Sequence, residues 1–226
     1  MQLEDLIRRF RVQANDKVEP YFNDDEDVIA WLNDAVKEAC IRGRLIREWI
    51  NSDVCEVDVL SGQNQYKLHE SLYEISSARL LDLPSYRPAN LLLVSPETLD
   101  RIYNGCSLDW RTMTGEPKYI IQSDTNFHLS PVPDKDYKIR LEGYRVPLVN
   151  MKDDTDEPEI NSLHHVHLIQ WALAQAFSVP DAEFFDANRA AMAEQAFTEY
   201  FGQRPDSDLR RITREDVPHH VIPFMP

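Results

Sequence analysis

Between positions 3 and 14 the apolar residues recur at helical spacing. Leu3, Leu6, Ile7, Phe10 and Ala14 fall on one face, which predicts an amphipathic helix. The segment KVEPYF breaks the pattern at Pro20. A second helix is expected from Asn23, whose side chain suits an N-cap, with Glu26 three positions later in capping-box spacing. Asp24, Asp25, Glu26 and Asp27 crowd its first turn, where the positive end of the helix dipole favours carboxylates. Val28, Leu32, Ala35, Val36 and Ala39 supply the buried stripe, and Gly43 loosens the end.

From Asn51 the period shortens to two. In CEVDVL, Cys55, Val57 and Val59 alternate with Glu56 and Asp58, as in a half-buried strand. Ser61-Gly62-Gln63-Asn64 is turn chemistry, so QYKL reads as the returning strand of a hairpin. YEISSARLL is a further strand, and Pro96 opens a short helix, PETLDRIY, at its favoured first-turn position. KYIIQ, NFHLSPVP and YKIRLEGYRVP follow as short β-like runs bounded by Pro, Gly, Asp or Asn. Five to six strands are expected between Asp53 and Pro147.

The acidic link KDDTDEPE closes this region. Helix returns after Asn161, a good cap, through LHHVHLIQWALAQAF, which is apolar almost all round and so buried on several sides. Val179-Pro180-Asp181 breaks it, and a fourth helix, AEFFDANRAAMAEQAFTEYF, stops at Gly202. Helix pair, β-region and helix pair together predict an α+β fold. Residues 1–50 and 159–202 form a discontinuous four-helix bundle, because short helix pairs bury their stripes poorly alone, and 51–158 is a β-rich insertion. Residues 203–226 hold four prolines and no sustained period, as in an extended arm with one short helical turn near DLRRI.

Composition adds exclusions. Hydrophobic residues make up 42% of 226, ordinary for a folded domain, and no apolar run approaches a bilayer span. MQLEDLIRRF lacks the order of a signal peptide, which places synthesis in a cytoplasm. Cys40, Cys55 and Cys106 stand far apart, without the spacing of a disulfide framework or zinc site, and Cys40 sits on a helical stripe as a core residue. The net charge of −15 opposes a duplex-gripping surface. Two readings of it stay open: solubility alone, or an acidic surface past which DNA slides.

Candidate chemistry is sparse. His164 and His167 share a helical face beside His165, but no further ligand is evident, and His219-His220 offer only a distant pair; core or interface histidines are the better reading. No carboxylate pair stands apart among 39 acidic residues, no nucleophile motif occurs, and no glycine-rich phosphate loop or other cofactor motif is present, so no enzyme is expected. Trp110, Tyr119, Phe127, Tyr137 and Tyr144 lack clustered basic partners and read as β-core packing rather than a base-stacking platform. The last segment is least explained by a self-contained domain. It mixes Arg204, Arg210, Arg211 and Arg214 with Asp206, Asp208, Glu215 and Asp216, then sets apolar Val217, Val221, Ile222 and Phe224 among prolines. It is either an arm lying in a partner's groove or a frayed terminus.

Three stretches carry a family resemblance. LEDLIRRFRVQANDKVEPYFNDDEDVIAWLNDAVKEACIRGRLI is similar to an acidic cap followed by a helix bearing W-L-N-x-A. DWRTMTGEPKYIIQSDTNFHLSPVPDKDYKIRLEGYRVPL is similar to a pattern of Trp, then T-G-x-P with a Tyr just beyond it, then L-x-P-x-P and Y-R-x-P. INSLHHVHLIQWALAQAF leads into an Ala-rich helix ending EYFG. Together they cover most of residues 1–202 and resemble the head-to-tail adaptor, or connector, proteins of short-tailed bacteriophages. The resemblance implies a ring of twelve subunits in the virion neck, under the portal protein and above a downstream tail or nozzle protein, continuing the DNA channel without sequence-specific binding or membrane contact. It also implies an arm reaching onto the portal. No motif of the arm matches residue by residue; from its own composition, the expected contacts are Arg204, Leu209, Arg210, Arg211, Ile212, Val217, Val221, Ile222 and Phe224. The rival readings are a virion-associated peptidoglycan hydrolase and a neck module not bound to the portal.

Overall fold

The computed structural model describes residues 1–81, 90–104, 109–180 and 184–205. It is α+β, with six α-helices among the described residues. α1 (Leu3–Ala14) buries Leu3, Leu6, Phe10 and Ala14 and half-buries Ile7, as its stripe predicts, and ends at Asn15 in the left-handed conformation. α2 (Asp25–Gly43) buries Val28, Leu32, Ala35, Val36 and Ala39.

Its start corrects the sequence reading: the N-cap position is Asp24, and Asn23 does not cap. Asn23 is buried, and its backbone N and side-chain Nδ2 both donate to Asp16, at 3.2 and 3.3 Å. A buried carboxylate needs donors more than an exposed helix end needs a cap, so Asp16 captures Asn23.

α5 (His165–Ser178) follows a 3-10 turn, Ser162–His164, which Asn161 caps by accepting from Leu163 N at 3.0 Å. α6 (Ala187–Phe201) starts later than the expected Ala182, because Asp186 accepts from the N–H groups of Asn188 and Arg189 while Phe184 turns inward to stack on Phe177. Gly202 ends it at φ 89°, a conformation that favours glycine.

Two compact units divide the chain. The first comprises residues 1–56, 68–76 and 141–204. Its core is one cluster drawn from α1, α2, α5 and α6, with Phe10, Leu32 and Phe197 fully enclosed; α5 packs on α6, α2 and α1. Burying a side chain of this size stabilises by about 2–3 kcal/mol. The linker after the β-region joins this cluster through Met151, whose backbone N donates to Asn33 Oδ1 at 2.8 Å and whose carbonyl accepts from Asn33 Nδ2 at 3.0 Å.

This unit also contains strand residues that helix periodicity does not announce. β1 (Ile46–Glu48) pairs antiparallel with the last residues of the long strand β10 (Tyr137–Arg145), Ile46 facing Arg145 and Glu48 facing Gly143. The single-turn helix α3 (Ser52–Cys55), capped by Asn51, takes Cys55, the expected first residue of the CEVDVL strand. The carbonyl of Asn51 accepts from Cys55 N, so Cys55 closes a turn before the chain extends.

The described residues of 57–67 and 77–140 belong to the second unit. In chain order the remaining strands are β2 (Glu56–Val59), β3 (Gln65–Lys67), β4 (Leu72–Leu80), β5 (Asn90–Leu93), β6 (Thr114–Gly115), β7 (Tyr119–Gln122), β8 (Asn126–Ser130), β9 (Val132–Pro133) and β10 (Tyr137–Arg145). Helix α4 (Pro96–Ile102), with Pro96 in its first turn and Ser95 as cap, lies in the connection between the parallel strands β5 and β7. Strand order runs β10-β4-β5-β7-β8-β3, with β2 also on β10, and β6 pairs with β9 apart. β10, the β-like run expected at YKIRLEGYR, alternates buried and half-buried residues throughout.

The expected hairpin of CEVDVL with QYKL is overturned. β2 pairs with β10, and β3 pairs with β8, where Tyr66 faces and stacks on Phe127 at 5.5 Å. The turn itself stands: Gly62 has φ 79°, and the Tyr66 hydroxyl donates to Gln63 O at 2.6 Å. Burial of Tyr66 against Phe127 decides the partner, not nearness along the chain.

Gly143 on β10 marks a close approach within the first unit. A Cβ there would lie 2.1 Å from the Glu74 carbonyl oxygen of β4 and 3.0 Å from Leu72 Cδ1. Gly143→Ala is therefore expected to force these strands apart and to lower unfolding free energy by about 2 kcal/mol in urea titration. An unchanged midpoint would refute the close packing.

Candidate functional site

The place where the chain leaves α6 gathers three charged side chains of the first unit, Glu38, Arg42 and Arg204. On α2, Glu38 and Arg42 stand one turn apart and are both nearly buried, and Arg42 Nε donates to Glu38 at 2.7 Å. Arg42 Nη1 donates to Thr198 Oγ1 on α6 at 2.9 Å and approaches the Gly202 carbonyl at 3.4 Å, while its guanidinium lies over the Trp171 and Phe197 rings. Arg204, the first of the sequence-predicted arm residues, then places Nη2 3.8 Å from the second Glu38 oxygen. A planar guanidinium that donates in two directions while stacking on rings fixes the end of α6 against α2. The chain thus departs from a fixed point. A shallow, open depression of about 570 Å³ runs along α6 beside it, lined by Glu194, Thr198, Gly202 and Gln203 among others. Leu209, Arg210, Arg211, Ile212, Val217, Val221, Ile222 and Phe224, with the helical turn expected near DLRRI, lie outside the described residues.

A second charged centre supports an apolar surface. Arg145 is nearly buried; its Nε donates to Glu48 at 2.9 Å and its two Nη atoms donate to Glu159 at 3.0 and 2.5 Å. The other Glu48 oxygen accepts from three successive backbone N–H groups, those of Trp49, Ile50 and Asn51, and Glu159 also accepts from Leu148 N. Burial raises the Glu48 carboxyl, but the bonds from Asn51, Arg145 and Ile50 outweigh it and hold it below the usual range. The bond from Arg145 does the same for Glu159 against its burial. Trp49, Ile50, Leu148 and Val149 stand exposed on the two loops so fixed. Sequence reading missed this centre, whose only local signal is the Glu48-Trp49-Ile50 sequence at a change of period.

His164, His165 and His167 have structural partners, whereas His219 and His220 lie outside the described residues. His165 is buried, with one ring nitrogen 3.0 Å from the Met1 amino group and the other 3.0 Å from Ile160 O. His167 stacks on Tyr200 at 3.5 Å, and His164 Nδ1 lies 3.1 Å from the Tyr200 hydroxyl. Burial, then His164, holds His167 below its ordinary range. These contacts tie α5 to α6. The Cys40 thiol is enclosed in the core and pushed up to about 12, chiefly by burial, far from the thiolate that nucleophilic chemistry needs. Phe127 and Tyr137 are core residues of the second unit, whereas Trp110 is half-buried and donates Nε1 to Asp100 at 2.7 Å. No helix among the described residues is long and apolar enough to cross a membrane.

Among known families, the model described as SU10 adaptor protein matches residues 1–220. No curated protein matches the chain.

Proposed function

The chain belongs to the SU10 adaptor protein family and is a phage structural protein; from that premise we propose that it forms a ring of twelve subunits joining the portal to the tail of a short-tailed phage. In this reading α1, α2, α5 and α6 act as one discontinuous bundle, residues 51–158 as an inserted domain contacting neighbours, and residues 203–226 as the arm that grips the portal. The contacting residues are Arg204, Leu209, Arg210, Arg211, Ile212, Val217, Val221, Ile222 and Phe224. The ring assembles in the host cytoplasm, continues the DNA channel and offers its far side to the next tail or nozzle protein.

The observation that carries this reading is the clamp of Glu38, Arg42 and Thr198 at the root of the arm, together with the family match. A segment with apolar anchors but no period of its own gains from a fixed root, because less freedom is lost when it docks. The net charge of −15 fits a channel wall, since carboxylates repel the phosphate backbone and favour sliding. Mixing the protein with its portal and imaging by electron microscopy tests the proposal, with rings on the portal as the expected result. Deleting residues 205–226 is expected to abolish attachment while leaving the thermal midpoint within about 2 °C, since the helical core is untouched. Undiminished attachment of the truncated chain refutes the arm's role, and failure of the full chain to form rings refutes the adaptor reading.

A further inference from the structure

Where α1 ends and α2 begins, residues 16–23 form a loop that is polar inside and apolar outside. Asp16 is fully buried and accepts four bonds: from Arg11 Nη1 at 2.5 Å, Phe22 N at 3.0 Å, Asn23 N at 3.2 Å and Asn23 Nδ2 at 3.3 Å. Arg11, itself 7% exposed, also donates to Asp25 at 2.6 Å and lies over the Tyr21 ring at 4.0 Å. This network fixes the backbone on both sides of the tip. What it leaves in solvent is Val18 at 79% exposure, Phe22 at 60% and Tyr21 at 37%. The Phe22 ring stacks at 5.6 Å on Phe184, which stacks at 5.1 Å on Phe177 of the core, so Phe22 is seated on the core while most of it stays exposed.

Burying an ion pair is an expensive way to close a loop, and it does not shelter the aromatic and aliphatic groups at its tip. The same arrangement pre-organises them for insertion, because the groups are already held when a partner arrives. The surroundings specify that partner. Asp24 at the N-cap and Asp25, Glu26 and Asp27 on the first turn of α2 are all exposed, beginning two residues after Phe22. A second copy of this chain, at net charge −15, is a poor electrostatic match for such a rim. The arm is rooted elsewhere: Glu38, beside Arg204, lies fourteen positions beyond Asp24, about 21 Å along α2 at 1.5 Å per residue.

We infer that Val18, Tyr21 and Phe22 insert into an apolar pocket rimmed by lysine or arginine on a protein of the phage particle other than the one the arm holds. This rests on the adaptor reading, which puts the chain in the particle between two different neighbours.

The test replaces Phe22 with the photo-crosslinking residue p-benzoylphenylalanine in the full chain, assembles particles by complementation, irradiates them and maps the crosslinks by mass spectrometry. The expected product joins position 22 to a different particle protein, at a peptide with lysine or arginine beside apolar residues. That protein, once purified, is expected to bind the doubly substituted Val18→Ser/Phe22→Ser chain at least about tenfold more weakly than the unsubstituted one. Glu26→Gln/Asp27→Asn is expected to weaken binding and to flatten its salt dependence. Attachment of the doubly substituted chain to the portal is expected to be unchanged. Crosslinks only to a second copy of this chain, crosslinks only to the portal segment that holds the arm, or none in particles that contain the protein would each overturn the inference alone. Absence of the protein from particles, read independently by its peptides, overturns the adaptor reading and this inference with it.

Discussion

Replacing Arg145 with methionine is expected to lower the unfolding free energy by about 3 kcal/mol, read by urea titration at pH 7. The guanidinium is nearly buried and is the shared partner of Glu48 and Glu159. Methionine fills much of the volume but leaves two carboxylates facing each other across the space. Glu159 is 41% exposed, so water takes up part of the loss, and the expected figure sits at the low end of what breaking a buried pair costs. The double variant Arg145→Met/Glu48→Gln is expected to recover part of the loss, because glutamine keeps the oxygen that accepts from Trp49, Ile50 and Asn51 and removes one charge. A loss under about 1 kcal/mol in the single variant would mean that the centre is solvated, as a surface pair is.

The same centre has a pH signature. Glu48 and Glu159 are both held below their ordinary range in the folded protein. The stability they contribute is fully present above the unfolded glutamate pKa of about 4.3, and it is lost as pH falls through the lower folded values. The gap between the unsubstituted protein and Arg145→Met is therefore expected to narrow as pH drops below about 4. A gap that stays constant to pH 2 would exclude the carboxylates as its source.

Replacing Asp16 with alanine is expected to lower stability by about 2–3 kcal/mol. The carboxylate is fully buried and serves Arg11, two backbone N–H groups and the Asn23 amide. Alanine leaves Arg11 with Asp25 alone, and Asp25 is largely exposed. Amide exchange at Phe22 and Asn23 is expected to accelerate, because both donors lose their acceptor. Asp16→Asn, which keeps an acceptor but not the charge, is expected to fall between the two. Exchange at Phe22 as slow in Asp16→Ala as in the unsubstituted protein would show that the loop is held by something other than this carboxylate.

These two variants concern features that the sequence hides. Arg11 is the third of three arginines on α1, after Arg8 and Arg9, and its partners lie 5 and 14 positions away across a loop. Arg145 is the last residue of a strand, and Glu48 lies 97 positions before it. No local pattern distinguishes a buried arginine from an exposed one when its partners come from elsewhere. Asn23 errs in the opposite direction: its type and place match an N-cap, but a buried carboxylate out-competes the helix end. The hairpin over 55–68 fails for a related reason, since its turn is correct and its strand partners are not.

What the sequence by itself determined are the properties encoded within a few residues: the buried faces of α1, α2 and α5, the cap at Asn161, the proline start of α4, the turn at Gly62 and the extended run of β10. Helical and strand periods are local because the backbone repeats every few residues and its side chains report which face meets the core. The tertiary structure alone decided which strand lies beside which, where α6 begins, and how Arg11, Arg42 and Arg145 are enclosed. Those choices depend on desolvating groups brought together from distant parts of the chain, and that free energy does not exist until the whole core has formed.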